Sequence, residues 1–237
     1  MRNLTMRKLN GMGSAMLVGI SLICLLLVAA PASADTLYTI DTPNAALACC
    51  TGPYATANVH LVDATHATIT FDSLTNGGFI YLMGGNSAAN VNVNATTWTI
   101  GALASTVLPG FTNGALSDGG PGNVSVFGIF NQQVNAFDGF TNAKNQISFL
   151  LTDTSGTWAS SADVLIANAA GFTVSIHAFA CADSGNCSPD VAAFVTGFAA
   201  NGDEPPPLNG VPEPASLLLL GSGLAGLGLW GRKRLKN

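Results

Sequence analysis

The sequence predicts a mainly β domain, an antiparallel sandwich or jelly-roll-like fold with one or two short helices, followed by a single C-terminal membrane-spanning helix. Three observations support this. Between residues 35 and about 200, Glu and Lys are nearly absent, whereas Thr, Val, Phe, Asn and Gly are plentiful. Polar and apolar residues alternate there in short runs separated by turn-forming residues. Finally, an apolar run near the C-terminus precedes a basic cluster.

The alternation with period two predicts short strands. It occurs at 58–62, 67–71, 91–93, 98–100, 124–126 and 172–176. Residues that favour turns separate these segments, at 63–65, 76–78, 84–86 and 118–123. Short strands with such turns are typical of antiparallel sandwiches and jelly rolls.

Two segments instead carry helix signals. The first begins at a Ser161 cap and ends at Gly171. The second has Ser188 as its cap and Pro189 at its first position, and ends at 201–202. Its apolar stripe, which predicts a face toward the core, consists of Val191, Phe194, Val195 and Phe198.

Residues 1–34 have the pattern of a secretory signal peptide. A basic start is followed by an apolar run at 15–30, and then by the small-x-small site Ala32-Ser33-Ala34. An uncleaved anchor is the alternative, which the small residues and Pro31 disfavour. We therefore expect the exported chain to begin at Asp35.

The remaining chain divides into an extracytoplasmic β-rich domain at 35–202, a Pro-rich linker at 203–210 and a tail at 211–237. The tail starts with a stiff extended stretch, Val211-Pro212-Glu213-Pro214. The apolar run at 215–231 reaches roughly 25 Å as a helix, just short of a hydrocarbon core of about 30 Å. The basic cluster that would hold the end of this span in the cytoplasm consists of Arg232, Lys233, Arg234 and Lys236.

This order of motif, span and basic end resembles the PEP-CTERM sorting signal of Gram-negative bacteria. The resemblance covers the last 27 residues and implies recognition by an exosortase, a transpeptidase-like enzyme of the membrane. It implies a transient stay in the inner membrane, then release to the cell surface or extracellular matrix, in association with exopolysaccharide and biofilm. Retention of the tail as a permanent anchor is left open.

The charges are segregated along the chain. Seven of the eight basic residues lie in the first eight or the last six positions, whereas all thirteen acidic residues lie between Asp35 and Glu213. The segment 35–214 therefore has one Lys and a formal charge of 1 − 13 = −12. Such a body repels phosphate backbones, which excludes a nucleic-acid partner.

Removal of the signal peptide leaves four cysteines, Cys49, Cys50, Cys181 and Cys187. In an oxidising compartment they predict two disulfides, with three connectivities. Because adjacent cysteines rarely bond each other, we expect Cys49 and Cys50 to pair with Cys181 and Cys187. The alternative is a zinc site formed by His177, Cys181 and Cys187.

The sequence gives only weak signals for other functional sites. His60, Asp63, His66 and Asp72 lie close in sequence and suggest metal binding or acid–base use, but half-exposed strand histidines explain them better. The Asp residues stand in turns, as at 153–156, without a calcium-loop pattern. Catalytic motifs are absent too, so the sequence predicts no enzyme, cofactor or metal.

The predicted function is that of a structural or adhesive protein of the cell surface or matrix. A glycan-binding module is one alternative, and a hydrolase of matrix polysaccharide is another. The first would need exposed, coplanar aromatic rings, for which the candidates are Trp98, Trp158, Tyr54 and Tyr81. The second would need a cleft with two facing Asp side chains.

Overall fold

Twelve antiparallel strands form one continuous sheet in the computed structural model, which describes residues 34–137, 139–182 and 187–202. The predicted signal peptide, except Ala34, and the predicted linker and sorting tail lie outside the described residues. The strands are β1 (Thr36–Pro43), β2 (Ala55–Asp63), β3 (His66–Ser73), β4 (Thr75–Asn76), β5 (Phe79–Met83), β6 (Ala89–Val91), β7 (Trp98–Thr106), β8 (Leu116–Asn123), β9 (Ile129–Ala136), β10 (Gln146–Asp153), β11 (Val174–Ala182) and β12 (Val195–Asn201).

The strand order along the sheet is β7-β10-β3-β2-β1-β12-β11-β6-β9-β8, while β5 pairs with another part of β11 and with β4. The sheet curls enough for the edge strands β7 and β8 to contact each other. Such curling is expected because the twist between neighbouring strands accumulates across a wide sheet. The Trp98 indole N–H of β7 donates to Gln132 Oε1 of β9 (3.0 Å). A mainly β, antiparallel domain is therefore confirmed.

Both predicted helices are wrong. The segment after Ser160 contains only a 3-10 turn, Ser161–Asp163, and Leu165 then forms a bridge to Val93. The predicted stripe at 191–198 runs into strand β12, which pairs with β1 on one side and β11 on the other. Two ladders of backbone hydrogen bonds outweigh a helical spacing of four apolar residues, and Val195 and Thr196 are β-branched.

In addition, one predicted turn is part of a strand, and one predicted strand is part of a turn. The Gly-rich stretch at 118–123 lies in edge strand β8, where two register shifts accommodate it against β9. Pro121 is tolerated because an edge strand leaves one row of backbone groups unpaired. The predicted strand at 124–126 instead enters a 3-10 turn, Ser125–Phe127. Within the described residues no helix is long and apolar enough to cross a membrane.

The core lies mainly on one face of the sheet, with two smaller clusters elsewhere. The large cluster contains all three tyrosines of the chain, Tyr38, Tyr54 and Tyr81, each at most 3% exposed. The Tyr54 and Tyr81 rings meet edge to face, with centroids 4.8 Å apart. Burial raises the pKa of all three phenols, and to about 12 for Tyr38 and Tyr81.

Because folding raises the pKa of the three phenols, we expect a steep loss of stability at alkaline pH. A phenol whose pKa is raised by folding contributes stability that is complete below its unfolded value of 10 and is lost between pH 10 and about 12. We expect little phenolate absorbance near pH 10 in the native protein, and its appearance together with loss of the near-ultraviolet circular dichroism at higher pH. The guanidinium-unfolded chain, as control, should titrate near pH 10. Native protein that ionises all three phenols near pH 10 without unfolding would contradict this.

Candidate functional site

The C-terminal segment leaves the domain from a central strand. Asn201, the last residue of β12, is 2% exposed and pairs with Ile40 of β1. Its Oδ1 accepts hydrogen bonds from the backbone N–H groups of Thr173 and Val174, both at 2.9 Å. The strand that precedes the tail is therefore hydrogen-bonded on both sides.

A polar groove of about 630 Å³ lies near one end of β10. Its walls are residues 93–96 and 155–159, together with Asp153 and Asp163. Trp158, which lines it, is 3% exposed and donates its indole N–H to Asn94 O (2.8 Å). The groove therefore offers mainly polar groups and two carboxylates to a ligand, rather than an aromatic platform.

The two carboxylates of the groove are engaged in local turns. Asp153 Oδ1 accepts from the backbone N–H groups of Ser155 (2.8 Å) and Gly156 (2.9 Å) and from the Ser155 hydroxyl (3.0 Å). Desolvation opposes ionisation of Asp153, but these hydrogen bonds outweigh it and lower its pKa. Asp163 Oδ2 accepts from the Ser160 hydroxyl at 2.7 Å. Asp153 is thus held ionised and does not suit the general acid that glycoside hydrolysis requires.

The four aromatic residues that were predicted for a sugar-binding face lie mostly inside the protein. Trp158, Tyr54 and Tyr81 are 3%, 1% and 0% exposed, and Trp98 is partly buried. The hydroxyls of Tyr54 and Tyr81 donate to Cys50 O and Thr51 O, each at 2.7 Å. Their ring faces are therefore unavailable for stacking on a glycan.

The histidines predicted near the β2–β3 hairpin contact different carboxylates. His60 Nδ1 lies 2.7 Å from Asp35 Oδ1, and His66 Nδ1 lies 2.9 Å from Asp63 Oδ1. Asp63 also closes the turn by accepting a hydrogen bond from the backbone N–H of Thr65. This hydrogen bond is the largest cause that lowers the pKa of Asp63, to about 2. Asp72 accepts from the Gln146 amide instead. In the described part of the chain, no group of three or more His, Cys, Asp or Glu could hold a metal ion.

The predicted pairing of the cysteines is wrong. Cys181 and Cys187 form a disulfide with each other, so that neither is available to Cys49 or Cys50, or as a zinc ligand. Cys181 packs with Leu82 and Phe179, in a different cluster from the one that contains Cys50. His177, the third residue of the zinc alternative, lies 2.8 Å through Nε2 from the Thr196 hydroxyl.

Sequence reasoning missed the role of Lys144. This residue, the only Lys or Arg of the segment 35–214, is 0% exposed. Its ammonium donates to Gly114 O (2.8 Å), Asn113 Oδ1 (3.0 Å) and Thr112 O (3.4 Å). No charged pattern marks it in the sequence, because its acceptors are amide oxygens. The described surface consequently carries carboxylates and histidines but no Lys or Arg.

Comparison with known proteins identifies the tail. A family model for the PEP-CTERM protein-sorting motif matches residues 210–233. No curated protein is significantly similar to the chain. No solved structure is significantly similar to it either. The motif covers the predicted Pro-Glu-Pro, the apolar run and the first basic residues, and it indicates an exported protein that an exosortase-type enzyme processes at the membrane on its way to the cell surface.

Proposed function

Because the chain carries a PEP-CTERM sorting motif at 210–233, we propose that it is a non-catalytic structural or adhesive component of the cell surface or extracellular matrix, associated with exopolysaccharide. The motif is the observation that carries the proposal. Under this proposal, the exosortase-type enzyme recognises Pro212-Glu213-Pro214 while the apolar run is held in the inner membrane. Cleavage then releases the β domain.

Two features of the domain support this role. The strand that precedes the tail is central, paired with β1 and β11 and with Asn201 buried at its end, which suits a domain that must stay folded after its tail is cleaved. The described surface carries no Lys or Arg, since Lys144 is buried, so electrostatic repulsion keeps the domains soluble at high local concentration. The ionised Asp153 and the buried aromatics favour this role over hydrolysis and over glycan stacking.

The sorting step is tested by replacing Pro212, Glu213 and Pro214 with alanine in the full chain, expressed in a host with its exosortase system. We expect the wild type to appear at the surface with a shortened C-terminus. The triple variant should stay at full length in the inner membrane, because the enzyme no longer recognises the segment. A matched control changes Glu204, Pro205 and Pro206 to alanine, which alters the same residue types outside the motif and should leave sorting intact.

Neutral replacements of Arg232, Lys233, Arg234 and Lys236 should impair processing for a different reason, since the end of the span is no longer fixed in the cytoplasm. If the Pro-Glu-Pro variant reached the surface in shortened form, the sorting interpretation would be wrong. A membrane anchor trimmed by general proteolysis would then explain the tail.

The matrix role is tested separately, in a strain that lacks this gene. We expect the mature domain of the complemented strain to fractionate with exopolysaccharide, and we expect the deletion strain to form less cohesive biofilm. Complementation with the Pro-Glu-Pro variant should not restore cohesion. A processed domain found only in the free medium, with unchanged biofilm, would contradict a structural role while leaving the sorting step intact.

A further inference from the structure

Two neighbouring thiols lie outside every site described so far. Cys49 is exposed and Cys50 is 4% exposed, and neither shares the Cys181–Cys187 disulfide. Their Sγ atoms are 2.8 Å apart. This separation is within 1 Å of the roughly 2.05 Å of a disulfide bond.

The backbone around this pair is held in place by side chains of other segments. The Tyr54 hydroxyl donates to Cys50 O and the Tyr81 hydroxyl to Thr51 O, both at 2.7 Å. The Asn76 amide donates to Gly52 O. The Cys50 N–H donates to Leu47 O at 3.0 Å. Three successive carbonyls, at positions 50 to 52, are therefore fixed, and the conformational entropy of ordering this loop is already lost before the sulfurs meet.

No other cysteine of the described chain is placed to compete. Cys181 and Cys187 are bonded to each other, and Cys181 packs against Leu82 and Phe179. Cys50 lies with Tyr54 and Tyr81 in the large core cluster. Tyr81 and Leu82 are adjacent in β5, and alternate residues of a strand point to opposite faces, so the sheet separates the two pairs of sulfurs.

We infer that Cys49 and Cys50 form a vicinal disulfide in the exported protein, by exchange with a dithiol oxidase or with glutathione disulfide. Export places the pair in a compartment where such bonds persist. The exposed Cys49 thiolate attacks one sulfur of the oxidant disulfide, forms a mixed disulfide and releases one thiolate. The Cys50 thiolate then attacks Cys49 Sγ and releases the second. Two electrons pass to the oxidant, whose two sulfurs leave as thiols with the two protons of the cysteines.

The order of attack follows from the environments of the two sulfurs. Burial, together with the hydrogen bond and the charge of Cys49, raises the pKa of Cys50 to about 12. Cys50 is thus a poor first nucleophile, while Cys49 is open to a bulky oxidant. Once Cys49 is in the mixed disulfide it carries no charge, and this contribution to the raised pKa of Cys50 disappears. The bond encloses no intervening residue, so its effect is to remove two free thiols rather than to stabilise the whole fold.

The test uses the full chain exported to the periplasm, trapped with iodoacetamide during lysis and mapped by non-reducing mass spectrometry. We expect the peptide with Cys49 and Cys50 to be unalkylated and two hydrogens lighter than its dithiol form. After mild reduction the protein should bind one equivalent of phenylarsine oxide, a probe of paired thiols. Cys49→Ser and Cys50→Ser should each abolish that binding, whereas the double variant Cys181→Ser and Cys187→Ser, as matched control, should keep both the bond and the binding.

A second arm does not depend on export. Reduced protein from the cytoplasm of a host, titrated with glutathione disulfide, should form the intramolecular Cys49–Cys50 bond without accumulating glutathionylated Cys49. Alkylation of both thiols in the exported wild type, a bond from either residue to Cys181 or Cys187, or a dimer linked through Cys49 would each overturn the inference. Failure of the sorting experiment would leave this second arm unaffected.

Discussion

Replacing Lys144 with alanine is expected to lower the free energy of unfolding by about 3–5 kcal/mol. The side chain is fully buried, so the substitution removes a packed four-carbon stem and leaves a cavity. It also removes the donor for Gly114 O, Asn113 Oδ1 and Thr112 O. Urea unfolding followed by Trp fluorescence measures the loss.

A second variant at Lys144 separates packing from hydrogen bonding. Lys144→Met keeps most of the volume and removes only the donors, so we expect a smaller loss, about 1–3 kcal/mol. The backbone of Lys144 pairs with Met83 in both directions and is unaffected by either change. Equal stability of the alanine variant and the wild type would show that the loop at 112–114 does not depend on the ammonium group.

The buried ammonium also gives a pH dependence of defined sign. Burial lowers the pKa of Lys144 below its usual 10.5, so between the folded value and 10.5 the unfolded chain binds more protons than the native one. Stability then rises with pH in that window, as the desolvation cost of the charged form disappears. The Lys144→Met variant lacks this contribution. Its stability relative to the wild type should therefore fall as pH rises toward 10, below the range in which the tyrosines ionise.

Local patterns in the sequence predicted much of the sheet. The alternations at 58–62 and 67–71 became β2 and β3, and the turn at 76–78 connects β4 to β5, with Gly77 and Gly78 both at positive φ. The Asp153 turn was also predicted, because Asp hydrogen-bonds the backbone two residues ahead irrespective of tertiary context. These elements depend on neighbouring residues, which a single sequence displays.

Elements that depend on distant partners were missed. Strand β12 has a helical stripe, and only its pairing with β1 and β11 reveals it as a strand. The predicted cysteine pairing was wrong for the same reason, because the opposite faces of β5 separate Cys50 from Cys181 and a sequence does not display these faces. The burial of Lys144 could not be predicted from the sequence, because its partners are amide oxygens rather than carboxylates. The sorting tail was predictable because its order of parts is itself the signal.

The stability of β12, the strand that leads to the sorting tail, should depend strongly on its last side chain, that of Asn201. Asn201→Ala is expected to lower the free energy of unfolding by about 2–4 kcal/mol, because two buried backbone N–H groups, of Thr173 and Val174, lose their acceptor. The loss should be concentrated where β12 meets β11. Urea unfolding gives the total, and hydrogen exchange of the 173 and 174 amides gives its location.

Asn201→Asp is the matched control, since a carboxylate oxygen accepts the same two hydrogen bonds at nearly the same volume. We expect it to retain much of the stability that alanine loses, and to keep slow exchange at 173 and 174. Under the proposed function the two variants should also differ at the cell surface. Loosening β12 exposes the junction with the linker, so alanine should increase proteolytic loss of the processed domain while aspartate should not. Slow exchange of the 173 and 174 amides in the alanine variant would show that the Asn201 side chain does not secure the strand to which the tail is attached.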